Sequence, residues 1–317
     1  MKKSVLITGG TGFLGRHLGL ALKDDYSVVL AGRNNSHNQA AQRFTGCTVM
    51  PLDVTNIESV RDVFVETRPQ IVVHAAATKY VDLSERYPME CLDVNVLGSQ
   101  NVARVSVEKG VEMVVGMSTD KSAPPVGNTY GLTKALMERL FCAMNGKSET
   151  RFACVRHGNL AWSTGSVFPI WKQMQEATGV IGSTGPDMTR FFTKVEEGVE
   201  LIKTAMENIE QVQGTVLSRS LKSARIRDIL EIWIKQKGGS WKQIEGRPGE
   251  RPHEYLIGEP ELPYTYEMRF RGVKHYAINF AERANDVLAL PPNSENAERL
   301  SETEILDIIN NPPAELA

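Results

Sequence analysis

Short β-branched runs alternate with longer amphipathic stretches along the first half of the chain. Ser4–Thr8, Ser27–Ala31, Thr48–Met50, Gln70–His74, Glu112–Met117 and Phe152–Arg156 are apolar without strict alternation, the pattern of parallel strands buried on both faces. Between them, Phe13, Leu14, His17, Leu18, Ala21 and Leu22 recur at helical spacing, as do Leu132, Ala135, Leu136, Arg139, Leu140 and Ala143. Alternating strands and helices predict an α/β fold, a Rossmann-type doubly wound parallel sheet, over residues 1–160. Past Gly158 the pattern is irregular, punctuated by Gly165, Pro169, Gly179, Gly182, Gly185 and Pro186. Apolar spacing predicts one helix through Val195, Val199, Ile202, Met206 and Ile209 and another over roughly Arg225–Lys235, and Ser301 with Glu304 forms a capping box for a last short helix. Residues 161–317 are expected to form mainly a smaller C-terminal cap on the sheet's carboxyl edge plus a tail, with some later segments returning to the sheet.

Composition narrows the class. The 317 residues are 41% hydrophobic and 23% charged, which excludes a disordered chain and suits one or two folded domains. With 36 Lys and Arg against 38 Asp and Glu, no basic excess advertises nucleic acid or anionic lipid, although a local basic pocket for phosphate is compatible. Cys47, Cys91, Cys142 and Cys154 are scattered, with no paired spacing for zinc, so no metal is expected. The apolar run Val5-Leu6-Ile7 is cut at once by Thr8-Gly9-Gly10, and no stretch of about 18 apolar residues is long enough to span a membrane. The expectation is a cytoplasmic protein.

The first strand runs into Gly9-Gly10-Thr11-Gly12-Phe13-Leu14-Gly15. Gly10, Gly12 and Gly15 satisfy G-x-G-x-x-G, and Gly9, Gly12 and Gly15 satisfy G-x-x-G-x-x-G; either lets backbone N–H groups approach a pyrophosphate at a helix N-terminus. The second strand ends in Ala31-Gly32-Arg33-Asn34, where an NAD site places an acidic residue on the ribose. Arg33 instead suits a 2′-phosphate, so NADP is the expected cofactor, with NAD the alternative. Asp53, followed by Val54, is positioned to accept from an adenine amino group, and Ala75, Ala76 and Ala77 leave room at the sheet edge.

Tyr130 and Lys134 form Y-x-x-x-K at the start of a predicted helix, on one face of it. A nearby ammonium stabilises phenolate, so the pair is suited to a tyrosine base. The fifth strand ends in Ser118-Thr119-Asp120-Lys121, a hydroxyl, an acid and an amine at the carboxyl edge, and Asn95 lies on the preceding helix.

These motifs together resemble the extended short-chain dehydrogenases/reductases. Within them the chain is similar to the nucleotide-sugar dehydratases of polysaccharide biosynthesis, in particular the inverting UDP-N-acetylglucosamine 4,6-dehydratases of pseudaminic acid pathways. The matching residues continue through Lys79, Asn101, Arg156 with Gly158-Asn159, Met188-Thr189-Arg190-Phe191 and Arg247-Pro248-Gly249-Glu250 with His253-Glu254. They cover residues 4 to 257 and little beyond. Thr119-Asp120-Lys121 discriminates, because relatives that retain the sugar's configuration have Glu in the third position.

The resemblance implies a catalytic set of Thr119, Asp120, Lys121, Tyr130 and Lys134. Tyr130 would deprotonate the carbon 4 hydroxyl, Lys121 would take the carbon 5 proton, and Asp120 would help the carbon 6 hydroxyl leave as water. Lys121 needs a lowered pKa for that role. Cofactor contacts are expected from Gly9, Thr11, Gly12, Phe13, Leu14, Gly15, Arg33, Asp53, Val54, Ala75, Ala76, Ala77, Lys79, Asn95, Tyr130 and Lys134. The UDP-sugar is expected on Lys79, Asn159, Arg190, Arg247 and Glu250 within the substrate-binding cap. A homo-oligomer is expected, because relatives pair through the helices carrying Asn95 and Tyr130.

The chain departs from the family pattern in several places. His157 replaces a tyrosine, Thr184-Gly185 replaces Thr-Asp, Arg251 replaces a lysine, and one residue is added between Asp120 and Tyr130. Two other functions compete. A UDP-hexosamine epimerase would use Tyr130 and Lys134 without an acid–base pair at 120 and 121. A non-catalytic NADP-binding regulator would need only the glycine turn.

Overall fold

The computed structural model describes residues 2–246 and 248–313. The first six strands lie where the apolar runs place them, within a residue or two at each end: β1 (Ser4–Thr8), β2 (Ser27–Gly32), β3 (Thr48–Pro51), β4 (Ile71–His74), β5 (Met113–Thr119) and β6 (Arg151–His157). Along β1, Val5 and Ile7 enter the core on one face of the sheet while Leu6 enters the core on the other, as the two-residue period requires. The remaining strands are β7 (Asn159–Leu160), β8 (Val180–Ser183), β9 (Thr189–Thr193), β10 (Val216–Arg219), β11 (Ser223–Arg225), β12 (Ser240–Gln243), β13 (Thr265–Phe270) and β14 (Val273–Ile278).

The large sheet has nine strands in the order β13-β14-β10-β6-β5-β4-β1-β2-β3. From β3 to β10 every pairing is parallel, and the β13–β14 hairpin joins antiparallel at the far edge. The order 3-2-1-4-5-6 is the Rossmann arrangement, with its reversal between β1 and β4.

Asparagines start two of the helices beside the cleft. Asn34 Oδ1 accepts from the N–H of Ser36 and His37 at the head of Asn35–Thr45, and Asn128 Oδ1 accepts from Gly131 N at the head of Thr129–Met144. Each satisfies N–H groups that a helix leaves unpaired in its first turn.

Part of the second half packs on the large sheet. The helix at Val195–Glu207 does not belong to the cap. Its Val199, Ile202 and Met206 are buried with Leu18 and Leu22 in the core on one face of the large sheet. An amphipathic stripe shows that a helix covers something apolar, not which surface it covers.

The cap is built on β7, β8, β9, β11 and β12 and has its own core, where Trp162, Phe168, Trp171 and Trp233 meet. The final helix, Glu302–Asn310, closes that core with Ile305, Ile308 and Ile309. The expected capping box is formed: Ser301 Oγ accepts from Glu304 N and Glu304 Oε2 accepts from Ser301 N. Trp162 Nε1 donates to Ile308 O at 2.7 Å. Among the described residues no helix is long and apolar enough to cross a membrane, and all four cysteines are free thiols.

Candidate active site

A cleft of about 1020 Å³ runs from the carboxyl ends of β1, β2 and β4 to the inner face of the cap. That is the upper end of the range for a small-molecule site, as a site taking two ligands end to end requires.

The glycines of the first turn do different jobs. Gly9 has a φ of 67°, and a Cβ there would lie 2.5 Å from Ala76 N. A Cβ on Gly15 would lie 2.5 Å from Gly10 Cα, so the helix Phe13–Leu22 rests directly on the turn's backbone. Gly10 is wedged in turn against Leu30, whose Cα would lie 2.9 Å from an added Cβ. Gly12 is unlike these. An added Cβ would meet only Gly9 O, at 3.2 Å, because the residue lines the cleft. It is also the N-cap of Phe13–Leu22, and no side chain caps that helix. An uncapped helix N-terminus opening on a cleft through a bare glycine fits the pyrophosphate of a dinucleotide. Gly9, Gly10 and Gly15 are thus held by packing and Gly12 by the opening itself, and Thr11, Phe13 and Leu14 complete this wall.

Arg33 stands at the end of β2 on the cleft rim, 3.8 Å from Glu90 Oε1 and with 63% of its side chain exposed. His37 lies beside it along the rim, unanticipated from the sequence. Asp53 and Val54 line the same end. Asp53 Oδ1 closes a turn by accepting from Thr55 N and Thr55 Oγ1. Ala75, Ala76 and Ala77 form the floor, and Lys79 follows them along the cleft.

Asn95 does not line the cleft, contrary to its expected place among the cofactor contacts. It is fully buried on a widened helical turn, Asp93–Leu97. Its Oδ1 accepts from Thr78 N at 2.8 Å, and its Nδ2 donates to Thr78 O and to Thr133 Oγ1, each at 3.0 Å. With donors and acceptor so engaged, Asn95 ties the Ala75–Lys79 segment to the helix carrying Tyr130. It acts on the cleft through these neighbours.

At the far end Thr119, Lys121, Tyr130 and Lys134 converge on the cleft. The Tyr130 hydroxyl is hydrogen-bonded to Thr119, yet burial and the Asp120 carboxylate hold the phenol well above its ordinary pKa. Lys134 Nζ donates to Met137 Sδ at 3.0 Å, and burial lowers the ammonium to about 8. The expected ammonium–phenolate pair is thus not made by the chain alone. Both groups are desolvated, which disfavours the charged form of each.

Asp120 is fully buried beneath the cleft and is not part of its wall. Its Oδ1 accepts from Thr119 Oγ1 at 3.0 Å and from Lys121 Nζ at 3.0 Å, and its Oδ2 has no partner among the described residues. Lys121 also donates to Asn159 Oδ1 at 3.1 Å and lies 3.6 Å from Glu254 Oε1. Its pKa is raised, not lowered as the sequence reading required. Burial pulls it down, but the Asp120 and Glu254 carboxylates more than offset that.

Glu254, at the end of the His253-Glu254 motif, is a further residue of the cleft that the sequence does not single out. It is buried, lines the cleft, and sits among three cations: Lys121, Arg190 at 3.8 Å, and Arg251. Arg251 in turn donates to Ala123 O, Pro125 O and Asp120 O. The arginine that replaces the family's lysine is thus a brace between Glu254 and the loop carrying Asp120 and Lys121. Arg190 lines the cleft, with Nη1 on the carbonyls of Thr189 and Pro252. Glu250 accepts from Thr184 Oγ1 at 3.0 Å at the cap end. Arg247 lies outside the described residues.

Comparison with known proteins agrees with this geometry. The family described as polysaccharide biosynthesis protein matches residues 5–271. The UDP-N-acetylglucosamine 4,6-dehydratase (inverting) of Campylobacter jejuni is 30% identical, over 98% of both chains. A UDP-glucose 4-epimerase of Rickettsia felis is also 30% identical, over 98% of this chain and 96% of its own. Among solved structures, Pen from Bacillus thuringiensis superposes with a TM-score of 0.89 at 26% identity, covering 98% of each chain. The UDP-glucuronic acid 4-epimerase of Bacillus cereus, in complex with UDP-glucuronic acid and NAD, has the same fold, with a TM-score of 0.70 at 20% identity, 78% of this chain and 88% of that one. The chain therefore belongs to the polysaccharide biosynthesis protein family, the nucleotide-sugar dehydratases and epimerases among the extended short-chain dehydrogenases/reductases.

Proposed function

We propose that the protein is an NADP-dependent nucleotide-sugar 4,6-dehydratase, a lyase acting on UDP-N-acetylglucosamine or a close UDP-hexosamine with inversion at carbon 5. The observation that carries this reading is Lys121, held between Asp120 and Glu254 on the cleft wall beside Thr119. A 4-epimerase has no use for a second acid–base pair there.

Gly9, Gly12, Gly15 and the helix start at Phe13 would hold the pyrophosphate, and Arg33 with His37 a 2′-phosphate. A nicotinamide cofactor held by these residues would supply a hydride acceptor for carbon 4 and later a hydride donor for carbon 6. Tyr130, hydrogen-bonded to Thr119, takes the proton of the carbon 4 hydroxyl. The resulting ketone acidifies the hydrogen on carbon 5. The raised pKa of Lys121 means that it enters this step charged, so it must first lose a proton. Asp120 Oδ1 is 3.0 Å away, and transfer to it creates the neutral amine and the carboxylic acid in one move. Lys121 then removes the carbon 5 proton. Asp120 delivers its own to the departing carbon 6 oxygen through Thr119 Oγ1, which bridges the buried carboxyl and the cleft. The electron pair of the carbon–hydrogen bond becomes the double bond, and the hydroxyl leaves as water. Asn159 and Arg190 hold the sugar and diphosphate between these groups.

Leu97, Leu132 and Leu136, exposed on the two helices expected at a subunit contact, support a homo-oligomer. The free cysteines suit a reducing cytoplasm.

Incubating the cofactor-loaded protein with UDP-N-acetylglucosamine in heavy water tests the reading. Loss of one water with deuterium at carbon 5 is expected, and NMR of the product gives the configuration there. Unchanged mass with a new isomer would establish the epimerase that the Rickettsia relative's name suggests, and no conversion of any UDP-hexosamine would overturn both.

A further inference from the structure

His157 is the last residue of β6 and one of the residues lining the cleft. It pairs in register with Thr119 across the parallel β5–β6 ladder, so the imidazole and the threonine hydroxyl share one face of the sheet side by side. Two residues on, Asn159 holds Lys121. The sugar's reacting carbons must lie among these groups for the chemistry proposed above. His157 therefore stands beside the hexose, not beside the nucleotide.

Its hydrogen bonding limits what it can do there. Nδ1 lies 2.7 Å from Gly158 O. A carbonyl oxygen only accepts, so Nδ1 carries the proton, and in a neutral ring Nε2 is left with a lone pair. Nε2 has no partner among the described residues. Burial lowers the ring's pKa, with Lys121 and Lys134 adding to that and the Gly158 carbonyl and Asp120 opposing it. The ring is therefore neutral near pH 7, an acceptor where the family pattern has a tyrosine that also donates.

We infer that His157 reads the hexose: its Nε2 accepts a hydrogen bond from a hydroxyl of the sugar held between Tyr130 and Lys121. The inference rests on the nucleotide-sugar reading above and deepens it, because an acceptor-only group selects a hexose with a donor at that place and contributes nothing to binding the diphosphate.

Titration calorimetry on the cofactor-loaded protein tests this with two ligands, UDP and UDP-N-acetylglucosamine. His157→Phe keeps the ring's shape and removes the acceptor. It is expected to weaken UDP-N-acetylglucosamine about tenfold, the worth of one neutral hydrogen bond, while UDP binds as before. His157→Gln, whose amide oxygen reaches nearly as far as Nε2, is expected to restore most of the loss. It should also remove the acid-side fall in kcat/KM expected in the wild type from protonation of the imidazole, a fall that burial displaces to lower pH than an ordinary histidine gives. Equal weakening of both ligands by His157→Phe would show a merely structural residue and overturn the inference, as would no weakening or a glutamine that restores nothing. Wild-type protein that binds neither ligand would bring down the nucleotide-sugar reading itself, and the wild-type titration alone reveals that.

Discussion

The two ends of the cleft are built from different materials. The dinucleotide end is mostly backbone: Gly9, Gly12 and Gly15 remove side chains so that a turn, a helix start and the Ala75–Ala77 floor come together. The sugar end is mostly charge, with Lys121, Glu254, Arg190 and Arg251 each held by an opposite partner or by carbonyls from distant parts of the chain. The first kind of wall fails when an atom is added, the second when a partner is removed. That difference sets where each end is fragile.

The sharpest break comes at Lys121. Lys121→Ala removes the only ammonium paired to Asp120 among the described residues and should cut water loss about a thousandfold, the usual worth of a positioned proton-transfer group. Oxidation at carbon 4 should persist, detected as a slow rise in nicotinamide absorbance at 340 nm under single-turnover conditions. Unimpaired dehydration would remove lysine from the reaction. Glu254→Ala comes next. It takes the shared carboxylate from Lys121, Arg190 and Arg251, which keep only their other partners, and breaking a buried ion pair from one side costs up to about 3–5 kcal/mol, so thermal unfolding should shift down by several degrees. With one fewer carboxylate opposing desolvation, Lys121 should also titrate lower, which moves the alkaline limb of the rate profile to lower pH. A variant with the wild-type limb would mean that Asp120 alone holds the lysine.

The glycines sharpen the contrast from the other side. Gly15→Ala drives a Cβ into Gly10 backbone and should cost about 1–3 kcal/mol of stability, as overpacking does. Gly12→Ala meets only Gly9 O, so the fold should lose no more than the roughly 1 kcal/mol of a poorer helix cap, while cofactor affinity falls at least tenfold. If both variants lost stability and affinity in the same proportion, the division between packing and approach at this turn would be wrong.

The same division explains what could be read from the chain. Backbone-built features are local: β1 to β6, the glycine turn and the Ser301–Glu304 cap each sit within a few residues and follow from apolar periodicity or a short motif. The charged end is assembled from afar. Arg251 Nη2 donates to Asp120 O across 131 positions, and Ser294, beyond the last family motif, donates to Thr189 O and accepts from Glu254 N. No spacing in the sequence announces such contacts. The direction of the Lys121 shift is hard to read for the same reason, since burial argues downward and the carboxylates of neighbouring Asp120 and distant Glu254 together outweigh it. Strands β10, β13 and β14 escape the reading in another way: short runs such as Val216–Arg219, or the edge strand Thr265–Phe270 with its alternating burial, resemble loop in a glycine-punctuated region.

His74 lies beneath both ends, where β4 stops and the alanine floor begins. It is fully buried, with Nδ1 2.7 Å from Thr8 Oγ1 and Nε2 2.9 Å from Ser99 Oγ. Burial, helped by the Lys134 charge, lowers it to about 3. The native state thus refuses a proton that the unfolded chain binds below about 6.5. The associated stability is complete above that pH and is lost as pH falls from about 6.5 toward about 3. Over that window the residue contributes a slope of up to about 1.4 kcal/mol per pH unit, and His157 and His275, also lowered, add to it. His74→Asn keeps a polar group between the two hydroxyls but does not titrate, so urea unfolding between pH 7 and pH 4.5 should show a shallower decline than in the wild type. Equal slopes would mean that the imidazole enters the folded core already charged. That charge would sit directly under the turn that has to receive a dinucleotide.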